Sequence, residues 1–370
     1  MKNLFLKFCI LTGMLLGLPL LGVYLTGLPL PLYLEFPPQT RYITHSPFSP
    51  SAFAAYSFLI IVVATFLLLK GVHGWRQAKQ EKRHLNTHPF PWWGRLGIVT
   101  GLISWTIAWV HSPWSSTFQP YTFVPLWLSF ILVINAITYR RSGHCMMVDQ
   151  PGFFLLLFPA SAALWWFFEY LNRFVQNWYY VNVNLKPWEY FCHATLSFST
   201  VLPAILGTRE WLIGTSWLQK GFKSLFPLNF VHSKILAGFV LVLSGIGLSG
   251  IGRFPNYLFP LLWISPLLII VSFQILTGES HIFSATLQGD WRPLVSSALA
   301  ALFCGWFWEM WNFYSLAKWE YSIPFVNRYK IFEMPVLGYA GYLPFGLECA
   351  AIGGILEKLL TKNIQKHFGK

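Results

Sequence analysis

Two short stretches of the chain combine a carboxylate and an amide inside a run of aromatic side chains. Both have the form Trp-Phe-x-Glu-x-x-Asn, with Glu169 and Asn172 in the first and Glu309 and Asn312 in the second. In a helix, side chains three residues apart lie on one face. A carboxylate there can donate or accept a proton while the amide orients it. These four residues are therefore our predicted acid–base groups. The alternative is a structural hydrogen-bonded pair that holds the loop that follows.

A Trp-x-Tyr segment follows each stretch. Trp178 and Tyr180 come after the first, and Trp319 and Tyr321 come after the second. We predict that these rings line a pocket for an apolar substrate. The alternative is a place in the aromatic belt at the membrane surface, which Trp and Tyr favour.

Further carboxylates follow each pair of aromatic residues. Glu189 and Glu333 stand at the start of the next apolar run, and we predict that both help to bind the substrate. Glu348 lies deeper in its run, after Pro344, and is predicted to be catalytic because carboxylates are costly inside a membrane. Glu210 directly follows Arg209 and is expected at the interface.

The composition identifies the class of protein in which these groups lie. Of the 370 residues, 55% are hydrophobic and only 11% are charged, whereas soluble proteins carry about a quarter charged residues. Many apolar runs are long enough to cross a bilayer of about 30 Å. The sequence therefore predicts an all-α polytopic transmembrane helix bundle and excludes a two-domain soluble protein.

We predict about ten membrane spans. Their expected limits are 5–27, 51–70, 96–112, 121–139, 152–172, 188–211, 234–252, 257–276, 292–311 and 334–358. The first run follows Lys2 and Lys7 and is too long for a signal peptide, so we expect it to remain as a span.

The basic residues predict the orientation of these spans. With the N-terminus inside, all but seven of the 26 Lys and Arg lie on the cytoplasmic side, the exceptions being Arg41, Arg173, Lys186, Arg253, Lys318, Arg328 and Lys330. This bias matches the positive-inside rule and accounts for the net charge of +13 without a nucleic-acid partner. Both termini are predicted to be cytoplasmic, and both Glu-x-x-Asn sites to lie near the outer face.

An internal duplication is predicted over the last eight spans. The twelve residues from Phe118 align without gaps to the twelve from Phe254, with six identities, and the Glu-x-x-Asn and Trp-x-Tyr segments follow in the same order. Each repeat has four spans, so the two should be parallel. The expected divisions are 1–92 with two extra spans and a basic loop, 93–230 with the first repeat, and 231–370 with the second repeat and a basic tail.

Metal and cofactor sites are not expected. Glu81, His84 and His88 have the spacing of one helical face, but Pro89 stops the helix and the loop is strongly basic. The five cysteines form no Cys-x-x-Cys pair and are expected to be buried thiols.

The repeated order of carboxylate, Trp-x-Tyr, and then a span with proline and glutamate resembles the membrane carotenoid cyclase and hydratase families. The matching positions are Glu169, Trp178, Tyr180, Pro203 and Glu210, and again Glu309, Trp319, Tyr321, Pro344 and Glu348. The chain lacks the adjacent Pro-x-Glu-Glu signature of the cyclases. The resemblance implies an all-helical membrane enzyme that protonates polyenes without an external redox partner.

Three functions remain open from the sequence. The first is a bacterial inner-membrane protein that handles a lipid or isoprenoid-like substrate, as a non-redox lyase, isomerase or cyclase if it is an enzyme. The second is a proton-coupled transporter or flippase that uses the same carboxylates. The third is a structural subunit of a membrane complex. The expected partners are membrane lipids and an apolar small molecule.

Overall fold

Helices dominate the computed structural model, which describes residues 2–80, 87–110, 112–115, 117–183 and 185–368. The helices of the first half are α1 (Lys2–Leu25), α2 (Leu30–Tyr33), α3 (Pro50–Gln80), α4 (Trp92–Trp109), α5 (Phe123–Ser142), α6 (Met146–Asp149) and α7 (Pro151–Val175). Those that follow are α8 (Pro187–Phe198), α9 (Val201–Ile213), α10 (Ser216–Phe222), α11 (Lys234–Gly250), α12 (Pro255–Leu258), α13 (Leu261–Leu276), α14 (Arg292–Phe313) and α15 (Tyr342–Phe368).

Long apolar helices make this chain an integral membrane protein. Within the part of the chain that the structure describes, the helical stretches long and apolar enough to cross a bilayer are Pro50–Gln80, Gln119–Ser142, Pro151–Val175, Pro187–Ile213 and Arg292–Phe313. Shorter apolar helices are Cys9–Leu25, Lys234–Gly250 and Leu261–Leu276.

The apolar helices differ in how much of their surface the protein covers. No residue in the most apolar stretch of α3 is buried, whereas 61% of that of α14 is. An apolar helix that remains uncovered fits contact with lipid chains. The C-terminal half of α3 still packs tightly on α10, because Gly74 leaves no room for a side chain: a Cβ there would lie 2.1 Å from the Trp217 carbonyl oxygen.

Aromatic side chains fill the centre of the helix bundle. Trp127 of α5 and Trp308 of α14 have ring centroids 4.8 Å apart. Phe168 of α7 stacks on Trp263 of α13 at 5.0 Å and meets Phe345 of α15 edge-on at 5.3 Å. Such pairs add stabilisation beyond the area they bury. This centre fixes the ends of α7 and α14, which carry the predicted carboxylates.

Two short strands join the parts of the chain that follow α7 and α14. β1 (Trp178–Val181) pairs antiparallel with β2 (Lys318–Tyr321), so that Trp178 faces Tyr321 and Tyr180 faces Trp319. β3 (Lys330–Ile331) pairs with β4 (Met334–Pro335) in a separate small ladder. The β1–β2 ladder places the two predicted Trp-x-Tyr segments side by side.

A segment between α2 and α3, residues 34–49, crosses the same end of the bundle; we call it the crossing segment. The Gln176 side chain accepts hydrogen bonds of 3.0 Å from the backbone N–H groups of both Tyr42 and Ile43. The His45 ring lies 2.7 Å from the Val175 carbonyl and 2.6 Å from the Ser322 hydroxyl. The segment therefore contacts the ends of both α7 and β2.

Several predicted span limits differ from the structure, and two of the differences lie beside the predicted site. The helical stretch predicted over 188–211 is interrupted at Ser199 and Thr200, between α8 and α9. The last span was predicted to begin at 334, but β4 and a 3₁₀ segment (Val336–Gly341) occupy 334–341, and helix α15 begins at Tyr342. Hydropathy cannot separate these conformations, since apolar residues occupy both.

Candidate functional site

Glu169 lies in the last two turns of α7, where it is buried under aromatic side chains. Its Oε1 atom accepts hydrogen bonds from the indole N–H groups of Trp165 at 3.2 Å and Trp178 at 3.0 Å, and from the hydroxyl of Tyr180 at 2.7 Å. Three donors on one oxygen offset the cost of removing a carboxylate from water. Helix α7 supplies one donor and strand β1 supplies two.

Glu309 occupies the corresponding place near the end of α14 and is fully buried. Its Oε1 atom accepts hydrogen bonds from the hydroxyls of Tyr321 at 2.6 Å and Tyr342 at 2.7 Å. The Trp319 indole N–H donates to the Tyr321 hydroxyl at 2.8 Å rather than to the carboxylate. No described residue donates to the second oxygen of Glu309.

Each carboxylate has one hydrogen-bond donor that comes from a different helix in the two sites. Trp165 lies four residues before Glu169 on the same helix face, and its indole N–H donates to the carboxylate. Four residues before Glu309 stands Gly305, whose missing side chain leaves room for the ring of Tyr342: a Cβ would lie 2.5 Å from that ring. Tyr342 of α15 thus supplies the donor that α14 lacks at this position.

Asn172 and Asn312 hold the backbone of the following strands rather than the carboxylates. The Asn172 amide donates to the Trp178 carbonyl at 2.8 Å and accepts from the Asn177 N–H at 2.8 Å. The Asn312 amide donates to the Trp319 carbonyl at 2.8 Å and accepts from the Trp319 N–H at 2.9 Å. The contacts seen in the structure are those of the structural alternative for the two asparagines.

The strand tyrosines that contact the two glutamates are protonated hydrogen-bond donors. Burial first, and the neighbouring Glu169 second, raise the pKa of Tyr180 well above its usual value. Burial and Glu309 do the same to the pKa of Tyr321. Both phenols therefore keep their protons at neutral pH and act as hydrogen-bond donors to the glutamate side chains.

A cavity of about 620 Å³ lies beside the β1–β2 ladder. Its wall is mostly apolar and aromatic and comes from both strands, from α7, α8 and α14 and from the starts of α13 and α15. It also reaches α3 at Tyr56 and Leu59, which are exposed side chains. This volume is within the range of small-molecule sites, about 300–1,000 Å³.

All the aromatic residues that surround the two carboxylates line this cavity, namely Trp165, Trp178, Tyr180, Trp319, Tyr321 and Tyr342. Glu169 and Glu309 do not belong to the described lining and lie behind it. The structure therefore brings together the four predicted substrate-binding aromatics. It places the two predicted catalytic carboxylates one side chain away from the cavity.

Glu348 lies apart from this arrangement. It is 1% exposed on α15, and neither of its oxygens has a hydrogen-bond partner among the described residues. It is not among the described residues of the cavity wall. A buried carboxylate without donors is costly.

Glu189 and Glu333 have local partners outside the cavity wall. Glu189 is exposed in the first turn of α8 and accepts the backbone N–H of Lys186 at 3.1 Å, as in a capping box. Glu333 binds the Lys318 ammonium at 2.5 Å, and the Lys330 ammonium lies 4.0 Å away. Lys318 itself lines the cavity, so Glu333 reaches it only through this ion pair.

The described residues hold no evident metal site. Among the described residues, no group of three or more His, Cys, Asp or Glu side chains is placed to hold a metal ion. Glu81 and His84 lie outside the described residues.

The sequence missed several residues of the site. Trp165 could have been found, since a donor four residues before a helical glutamate lies on the same face. Tyr342, Trp263 and Trp308 come from other helices, and no local spacing connects them to the carboxylates. Comparison with known proteins adds nothing to these observations: no family model, curated protein or solved structure matches the chain.

Proposed function

We propose that this membrane protein binds a lipid- or isoprenoid-like apolar molecule in the aromatic cavity and carries out acid–base chemistry on it. One observation carries the proposal: the side chains that contact both buried carboxylates form the wall of one apolar cavity. An apolar wall selects an apolar molecule, and a few fixed polar groups orient it.

The tyrosines supply the path for the proton in this proposal. Tyr180 stands between Glu169 and the cavity, and Tyr321 and Tyr342 stand between Glu309 and the cavity. The step begins with a protonated carboxyl group: the tyrosine gives its hydroxyl proton to the bound molecule and takes the carboxyl proton, which leaves a carboxylate. The carboxylate regains its proton when the product loses one by the reverse transfer. Such a step needs no redox partner and suits a lyase, isomerase or cyclase.

We also propose the ten-span topology and the parallel duplication. The register of the β1–β2 ladder supports the duplication, because exchanging Trp178 with Trp319 and Tyr180 with Tyr321 maps the ladder onto itself. The matching roles of Asn172 and Asn312 support it independently. The orientation proposed is that of the inner membrane of a bacterium, with both termini in the cytoplasm and the ladder outside.

Filling the cavity tests the binding proposal. Gly341 lines the cavity, and a Cβ there meets only Trp263, at 3.8 Å, so Gly341→Phe should occupy the cavity without disturbing the backbone. Gly238→Phe on α11 is the matched control, because nothing lies within 4 Å of a Cβ there. Binding of tritiated farnesol to the purified protein should fall at least about tenfold in the first variant only. Equal binding by both variants would contradict the proposal.

Removing the acids tests the chemistry. Glu169→Gln and Glu309→Gln should each change the lipid or pigment composition of the producing cells, measured by mass spectrometry. Glu189→Gln should leave it unchanged, since Glu189 is exposed and only caps α8. If both buried-site variants leave the composition at the wild-type pattern, the acid–base proposal is wrong.

Proton-coupled transport is the second candidate, and Glu348 is the observation that favours it. Buried ionisable groups in membrane helices often mark proton pathways, and Glu348 lacks any described hydrogen-bond donor. In vesicles, transport would appear as proton flux that Glu348→Gln abolishes. A wild-type protein that shows no flux would eliminate this candidate.

A further inference from the structure

Two polar atoms near the cavity lack hydrogen-bond partners. The Asn177 side chain is 3% exposed and that of Tyr190 is 8% exposed, and both residues line the cavity. Asn177 Oδ1 and the Tyr190 hydroxyl have no hydrogen-bond partner among the described residues. Buried polar atoms are normally paired, because an unpaired one forfeits its bond to water.

These atoms have complementary requirements. The amide oxygen of Asn177 needs a donor, and the phenol of Tyr190 can either donate or accept. A hydroxyl group can pair with each of them, because it has one O–H donor and two acceptor lone pairs.

The charges at the cavity wall disfavour an ionic head group. Among the Lys, Arg, His, Asp and Glu residues described, two line the wall: Lys318 and His193. The His193 ring lies 4.6 Å from the ring of Tyr121. The Lys318 ammonium is already bound by Glu333 at 2.5 Å. A phosphate would have to compete with Glu333 for this cation, and no described carboxylate lines the wall to bind a cationic head.

We propose that the cavity takes an amphiphile whose head group is an uncharged hydroxyl held by Asn177 and Tyr190, with its apolar chain against the aromatic wall. This rests on the proposed function and adds the class of molecule to it. The backbone of Asn177 is fixed separately, through its N–H to Asn172 and its carbonyl to Ser322. These contacts leave the side-chain oxygen of Asn177 without a described donor.

Competition against tritiated farnesol on the purified full chain tests the head group. The competitors are unlabelled farnesol, the hydrocarbon farnesane, farnesyl phosphate and farnesyltrimethylammonium. Farnesol should compete at least about fivefold better than each of the others, the value of one hydrogen bond or more. Equal competition by farnesane, or stronger competition by either ion, would overturn the hydroxyl assignment while leaving the apolar cavity in place. If none of the probes binds, farnesol included, the proposed function itself is overturned.

Two variants test whether Asn177 and Tyr190 cause the preference for farnesol over farnesane. Tyr190→Phe keeps the ring and its contacts with Phe36 and Trp166, and Asn177→Ala keeps the backbone hydrogen bonds. Each should remove the preference for farnesol over farnesane without lowering the melting temperature, because the lost atom has no described partner. Tyr257→Phe, at an exposed position outside the wall, is the control and should keep the preference. Variants that retain the preference would contradict the assignment.

Discussion

At the scale of single residues, the two Glu-x-x-Asn pairs divide their work. The carboxylates turn toward the aromatic wall of the cavity, and the amides hold the strands that carry part of that wall. The sequence indicated which residues share a helix face. It could not indicate that the amides bond to backbone several residues later, because that contact depends on how the chain turns after α7 and α14.

The amides should therefore matter for stability. Asn172→Ala and Asn312→Ala each leave backbone groups of the Trp178 or Trp319 region, buried in the first case and partly buried in the second, without their side-chain partner, which should cost about 1–3 kcal/mol. Thermal unfolding followed by the reactivity of the buried cysteines Cys304 and Cys349 measures this. Asn327→Ala, at an exposed position, should change stability by no more than about 0.5 kcal/mol. If all three variants unfold alike, the anchoring role is wrong.

Gly305 gives a second prediction at this scale. In Gly305→Ala, the new methyl group meets the Tyr342 ring and pushes its hydroxyl away from Glu309. We expect a loss of about 1–3 kcal/mol in the free energy of unfolding. Gly354→Ala on α15 is the control, since nothing lies within 4 Å of a Cβ there, and it should be neutral or slightly stabilising. A stable Gly305→Ala protein would contradict the packing described.

At the scale of elements, the helices were more predictable than the segments between them. Runs of apolar residues revealed α3, α5, α7 and α14 because a span must be apolar over most of its length. The β1–β2 ladder was not foreseen, although both Trp-x-Tyr segments were. Its partners lie far apart in the chain, and four residues give too short a pattern to predict a pairing. The crossing segment was missed for the same reason.

The crossing segment predicts a dependence of stability on pH. Burial, with a smaller effect from Arg41, lowers the pKa of His45 below its usual value of about 6.5. The folded protein therefore favours the neutral ring. Above the His45 pKa of the unfolded chain, about 6.5, the ring is neutral in both states and the free energy of unfolding is unaffected. As the pH falls below that value, the unfolded chain takes up the proton first, and the free energy of unfolding declines.

A replacement at His45 tests this dependence. The melting temperature of the wild type should drop between pH 7.5 and pH 5.5 by more than that of His45→Gln, which has no ring to protonate. The proposal of a histidine-dependent decline is wrong if both proteins show the same drop.

At the scale of the whole molecule, composition alone was enough to place the protein in a membrane. The low share of charged residues and the long apolar runs leave no other class. The cavity could not be predicted, because its wall combines two strands with helix ends from both halves of the chain. The sequence pointed to four of its aromatic residues and to the carboxylates behind it, but not to the space that they enclose.

The orientation of the whole molecule makes a further prediction. In a protein with Cys9 and Cys192 replaced by serine, a cysteine at the exposed position 327 should react with a membrane-impermeant maleimide on intact cells. A cysteine at Gln77, exposed near the end of α3, should react only after the cells are permeabilised. The opposite pattern would reverse the proposed topology, and it would move the cavity to the cytoplasmic side.

Photochemical labelling shows whether an apolar molecule occupies the aromatic cavity. A farnesol analogue with a diazirine in its chain is bound to the purified protein and irradiated, and the labelled peptides are identified by mass spectrometry. Labels are expected on the strands around Trp178 and Trp319 and at the start of α15, and they should be lost in Gly341→Phe but not in Gly238→Phe. Labels confined to the exposed faces of α3 and α11, unaffected by Gly341→Phe, would contradict it.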